Sequence, residues 1–193
     1  VKNMEAANNA KHVVSISLGS SKRDAGAILE LGGRKISIER RGTDGDFDKA
    51  RQLLERWDGK ADAIGLGGTD LYVYAGKKRY TFRESAHLIA NVKKTPVLDG
   101  SGLKNSLERK LIKSLAASGK VPIKGSKVLM VCGVDRFGMA EALLEAGAEV
   151  TFGDLIFGLN VNKPLYSLKA LAWWAALLAP LVTKLPVSWF YPM

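Results

Sequence analysis

The segment Lys127–Asp154, KVLMVCGVDRFGMAEALLEAGAEVTFGD, opens with an apolar run, Val128 to Cys132, of the kind that forms a strand buried on both faces. Gly133 ends the run, and Phe137, Ala140, Leu143 and Leu144 then recur at helical spacing between Arg136 and Ala146. Gly147 stops that helix, and Glu149 to Phe152 supplies a second strand ending at Asp154. Strand, glycine turn, helix, strand and acid make a βαβ unit of the dinucleotide-binding kind. In such a unit Gly133 serves the tight turn, Gly138 lets the helix approach the sheet, and Asp154 accepts hydrogen bonds from an adenosine ribose. The middle glycine of the pattern is replaced by Asp135. A carboxylate ~5 Å from a diphosphate charge costs ~3 kcal/mol at an effective dielectric of ~20. Either Arg136 offsets part of that cost, or Asp135 turns away to cap the helix. Besides a dinucleotide, the same pattern suits another nucleotide such as S-adenosylmethionine, or a purely structural βαβ unit.

Working outward, the 193 residues suffice for one large domain or two small ones with a real core. The single cysteine, Cys132, excludes an intramolecular disulfide, fits a reducing compartment and hence the cytoplasm, and reads as a small core residue rather than a nucleophile. His12 and His87 lie far apart with no cysteine or carboxylate cluster, so no metal site is expected. The net charge of +10 attracts anionic small molecules, but the basic residues come as scattered pairs without interleaved aromatics, which argues against nucleic acid. Ala170 to Val182, with Pro180 inside, is too short to span a membrane and reads as a buried helix.

Residues 1–10 read as a disordered leader, 11–120 as an α/β putative substrate domain, and 121–193 as a partial Rossmann-like nucleotide-binding domain with an apolar helix. In the first domain, strands are expected at His12–Ser17, Ala61–Leu66 and Pro96–Leu98. Hairpins are expected around Gly32-Gly33 and Gly76-Lys77-Lys78, and helices at Phe47–Trp57, Glu84–Lys93 and Leu103–Ala117. A complete dinucleotide domain needs further parallel strands, so the chain reads as truncated or as completed by a partner. The apolar tail VSWFYPM at 187–193 is compatible with a homo-oligomer. Three polar glycine turns are expected to converge beyond the carboxyl ends of the strands: Gly67 to Asp70, Asp99 to Gly102 with Lys104 and Asn105, and Gly133 to Gly138.

The stretches SISLGSSKRD from Ser15, GTDGDFDKA from Gly42, AIGLGGTDLYVYAGKKRYTFR from Ala63, TPVLDGSGLKNSLER from Thr95 and VCGVDRFGMAEAL from Val131 resemble bacterial quinate/shikimate 5-dehydrogenase-like proteins. That resemblance implies an N-terminal substrate domain, a nicotinamide-binding domain, and NAD(P)-dependent oxidation of a polyhydroxylated cyclic carboxylic acid. It implies Lys104 as the catalytic lysine with Asp99 or Asp70 as its aspartate, and Lys104 would act as a proton shuttle with a depressed pKa. Thr69, Ser101 and Asn105 are the substrate-binding candidates. Gly133, Asp135, Arg136, Gly138 and Asp154 are the cofactor-binding ones, with Asp154 favouring NAD over NADP. The serine-rich substrate motif of true shikimate dehydrogenases is not recognisable in Ser15–Asp24. A competing expectation is therefore a nucleotide- or metabolite-binding protein without turnover.

Overall fold

The computed structural model describes residues 10–76 and 78–186. Two compact α/β units emerge. The first takes the described residues up to Leu71 together with Arg83–Gly100 and Pro186, and the second takes Tyr72–Phe82 and Ser101–Leu185. The tail at 187–193 lies outside the described residues.

In the first unit, β1 (Lys11–Ser17), β2 (Gly26–Leu31), β3 (Arg34–Gly42), β4 (Ala63–Gly67) and β7 (Val97–Leu98) form one sheet in the order β2-β3-β1-β4-β7. All pairs are parallel except the β2–β3 hairpin, whose turn residues Gly32 and Gly33 both take positive φ as a two-residue hairpin requires. The alternation of β1 and β4 sends Val14, Ile16, Ile64 and Leu66 to one face. Helix α1 (Phe47–Trp57) buries Ala50 and Leu54 in the same core, joined by Leu88 of α2 (Arg83–Leu88). Asp46 caps α1, accepting from the Lys49 N–H at 2.9 Å. At the other end, Asp58 accepts the backbone N–H groups of Lys93, Lys94 and Thr95, which fastens the approach to β7. His12 is structural: its ring packs edge-on against Trp57 and lies 3.2 Å from Glu39.

The second unit holds the hairpin β5 (Tyr72–Ala75) and β6 (Lys78–Thr81), then α3 (Ser101–Ser118), β8 (Lys127–Met130), α4 (Phe137–Glu145), β9 (Glu149–Phe152), α5 (Asp154–Leu159) and α6 (Leu168–Val182). Strands β8 and β9 pair in parallel across α4, so the expected strand–helix–strand order is present, with α5 an addition that the sequence reading missed. The expected domain limit near residue 120 falls after α3, whereas the units part at Gly100. The reason is that α3 packs along α4, with Ile112 buried in the same core as Ala140 and Leu143.

Three expectations about burial change. Strand β8 stops at Met130 and is not buried on both faces: Val128 and Met130 pack into the core, while Leu129 and Val131 on the other face are exposed. Cys132 consequently lies beyond the strand as an exposed residue and not in the core. Helix α6 buries Leu171, Ala175 and Ala179, but Trp173, Leu177 and Leu181 on its other side are exposed. No helix among the described residues is long and apolar enough to cross a membrane.

Candidate functional site

Within the second unit, α3 and α4 are joined by a series of oppositely charged pairs, Lys104–Asp135, Glu108–Arg136, Arg109–Glu141 and Lys113–Glu145. Pairs this accessible are worth ~0–1 kcal/mol each, so they set register more than stability. Their helices come close because α4 begins with glycine near the contact. A Cβ on Gly138 would lie 2.9 Å from Asn105 Oδ1 and 3.2 Å from the Asn105 carbonyl oxygen. Gly138 therefore serves a helix–helix contact and not the helix–sheet approach expected of it.

The first of these pairs lies in a pocket. Lys104 Nζ is 2.5 Å from Asp135 Oδ1, both side chains retain about a quarter of their exposure (21% and 24%), and the pocket is lined further by Tyr74, Ser101, Asn105, Val134 and Phe137. It is a small, open recess of about 10 Å³, room for about one water, so a larger ligand would lie across its mouth. Ser101 is buried and its hydroxyl donates to the Tyr72 carbonyl at 3.2 Å, which ties the first turn of α3 to the hairpin. Both expectations for Asp135 are thus replaced by a third arrangement. Asp135 pairs with Lys104, Arg136 turns to Glu108, and Arg136 itself is the helix-capping residue, without a side-chain cap bond. The pocket-lining Tyr74, Val134 and Phe137 were not read as site residues. The one available signal was the match of Lys104 and Glu108, one turn apart, to the opposite charges of Asp135 and Arg136.

Asp154 stands elsewhere in the turn. Its two carboxylate oxygens accept the N–H groups of Gly133 at 2.9 Å and Val134 at 2.8 Å. Burial pushes its carboxyl above the ordinary range, against the opposing pull of those two bonds. Gly133 is required here for packing: a Cβ would lie 2.6 Å from the Phe152 ring and 3.0 Å from Leu171. Cys132 is exposed as a residue, but its thiol group is shielded beside the Asp154 carboxylate: desolvation first and the Asp154 charge second push it up to about 11, so it is a poor nucleophile at neutral pH.

This arrangement bears on a dinucleotide. The N–H groups that would receive a diphosphate at the β8–α4 turn are already occupied by a carboxylate of the chain, and Asp135 adds a second negative group beside them. In this arrangement the turn does not fit a diphosphate, and the ribose-binding role expected of Asp154 is taken up by anchoring the turn.

The remaining candidates lie in the first unit. Asp99 accepts the Leu71 N–H at 2.6 Å, which brings the loops after β4 and β7 together. Thr69 is buried, with its hydroxyl 2.7 Å from Ser85 Oγ, and Asp70 beside it is also buried. Of the three turns expected to meet, the structure joins Gly67–Asp70 to Asp99 in the first unit. Lys104, Asn105 and Gly133–Gly138 come together in the second. No group of three or more metal-ligating side chains occurs among the described residues.

Comparison with known proteins also divides the chain near Gly100, although the first match includes the Tyr72–Phe82 segment that belongs to the second unit. Residues 12–99 match a family model described as a domain of unknown function (DUF8753), and residues 102–193 match a second one described as a domain of unknown function (DUF8754). No curated protein and no solved structure matches the chain.

Proposed function

We propose that the second unit binds a small polyhydroxylated carboxylic acid in the pocket around Lys104 and Asp135, with the pair moving a proton on a ligand hydroxyl. The observation that carries this reading is the Lys104–Asp135 contact at 2.5 Å inside a pocket that also offers Asn105. An ammonium and a carboxylate side by side present a donor and an acceptor to one hydroxyl, the arrangement that proton transfer to or from an alcohol needs. The surrounding positive charge of the chain favours an anionic ligand. On this reading the protein is a cytoplasmic, Rossmann-like relative of the quinate/shikimate dehydrogenase-like proteins. NAD or NADP joins it only where Asp154 gives up the Gly133 and Val134 N–H groups, and no hydride step is assigned to the turn as it stands.

The engagement of those N–H groups favours a second reading, a metabolite-binding protein without turnover. Saturation-transfer NMR against quinate, shikimate and simple aliphatic acids tests the site that both readings share. Binding of the cyclic hydroxy acids that disappears in Lys104→Met supports the pocket, and equal signals from wild type and variant remove it. A steady-state assay with NAD or NADP then separates the enzyme from the binding protein.

A further inference from the structure

The recess at Lys104 is too small to enclose a ligand, so a molecule bound there is held by the groups around its mouth as well as by the pair inside. One of those groups is Tyr74 of the β5–β6 hairpin, which belongs to the same unit. Side chains alternate along a strand and match directly across a hairpin. The register Tyr72↔Thr81, Val73↔Tyr80 and Tyr74↔Arg79 therefore gives this hairpin two unlike faces. On one of them, Val73 and the buried Tyr80 pack with Ala175 and Ala179 of α6. Tyr72, Tyr74, Arg79 and Thr81 make up the other.

The packed face anchors the hairpin, and the bond from the Ser101 hydroxyl to the Tyr72 carbonyl fixes it to the first turn of α3, beside Lys104. The other face is ordered by its own contacts. The Tyr72 and Tyr74 rings meet edge to face, with centroids 5.4 Å and planes 82° apart. The Arg79 guanidinium lies over the Tyr72 ring, 5.2 Å from its centre. A guanidinium laid on a ring has its flat side engaged and its N–H edge still available, and that planar fork suits a carboxylate. Neighbouring cations differ in this respect. Lys104, Arg136, Arg109 and Lys113 each face a carboxylate across the α3–α4 seam. Arg79 is exposed and takes no carboxylate partner among the described residues.

We propose, resting on the reading of the Lys104 pocket given above, that Arg79 and Tyr74 determine its specificity: Arg79 receives the ligand's carboxylate, and the Tyr74 ring lies against the ligand's body. Lys104 and Asp135 then meet a hydroxyl at the ligand's other end. Because Tyr74 stands between the guanidinium and the pair, the two polar groups of the ligand must be separated by about the breadth of a ring. A cyclic acid with a hydroxyl across the ring from its carboxylate meets that requirement. An open-chain α-hydroxy acid, whose two groups sit on adjacent carbons, does not.

Calorimetric titration of wild type, Arg79→Gln, Tyr74→Leu and Lys104→Met with shikimate, its neutral methyl ester and lactate tests the assignment, with thermal melts to confirm folding. The wild type is expected to bind shikimate more tightly than either the ester or lactate. Arg79→Gln should weaken shikimate by ~10-fold and leave the ester unchanged, whereas a merely structural role would weaken both alike. Tyr74→Leu should weaken acid and ester together. Shikimate affinity unchanged in Arg79→Gln but lost in Lys104→Met overturns the role of Arg79 and leaves the pocket standing. Equal weakening of acid and ester in Arg79→Gln, or lactate binding as tightly as shikimate, also overturns it, and unchanged binding in Tyr74→Leu removes Tyr74 from the site. Absence of shikimate binding by the wild type, or no effect of Lys104→Met, removes the pocket and this inference with it.

Discussion

Replacing Asp154 by alanine separates the anchoring role described above from a ligand-binding one. The substitution removes two hydrogen bonds from a carboxylate to the Gly133 and Val134 N–H groups, at 2.9 and 2.8 Å. Bonds to a charged group contribute ~1.5–3 kcal/mol each, and a buried donor left without a partner costs a similar amount. Part of this is offset, because the raised pKa of Asp154 shows that burying its charge is itself unfavourable. The net expectation is a loss of ~2 kcal/mol, seen as a urea midpoint lower by ~1 M for a slope of ~2 kcal/mol per M. Asp154→Asn keeps one acceptor and should lose about half as much. Amide exchange at Gly133 and Val134 should quicken in the alanine variant before other strand and helix amides do. The pH dependence has a definite sign. Because the folded pKa lies above 3.8, the titrating part of the Asp154 contribution is fully present below that pH and fades as pH rises through the folded value. The Asn variant should therefore gain on the wild type as pH rises. An alanine variant with an unchanged midpoint and unchanged exchange at both amides would refute the anchoring role.

Other consequences follow from single contacts. Gly138→Ala forces a Cβ against Asn105 and should destabilise by ~1–3 kcal/mol in a urea melt. Gly158→Ala meets nothing within 4 Å and should stabilise α5 by up to ~1 kcal/mol. Thr69→Val leaves the buried Ser85 hydroxyl without its 2.7 Å partner, for a loss of ~1–2 kcal/mol by the same assay. Asp58 has its pKa lowered, chiefly by the Lys93 N–H. Its contribution is therefore present above 3.8 and lost as pH falls through the depressed value, and Asp58→Asn should flatten the acid limb of the stability profile.

Much of this fold was legible because local rules and tertiary packing agree. The Gly32-Gly33 turn, the Asp46 cap and the apolar spacing of α1 each specify their element from a few neighbouring residues. Strand β8 was misread for a reason of context: an apolar run looks the same in a sheet with both edges and faces covered as in a two-stranded one with Leu129 exposed. The α3 leucines at 103, 107 and 111 show a similar ambiguity, since their regular spacing marks an exposed stripe while Ile112 faces the core. At the candidate site, residue types were readable but partners were not. Lys104 and Asp135 stood apart in the sequence reading as catalytic and cofactor-binding candidates, and only the close approach of α3 and α4 at Gly138 makes them a pair. Asp154 sits at the distance in sequence expected of a ribose ligand, and spacing alone could not distinguish that role from one of closing the turn on itself.

The most direct measurement of the central claim is calorimetric titration of wild type and Lys104→Met with quinate and with shikimate, each repeated in the presence of NAD. The account predicts that the wild type binds at least one of the two acids without NAD, and that Lys104→Met weakens that binding by ~10-fold or more. Absence of binding to either acid, or equal affinity in the variant, would contradict it.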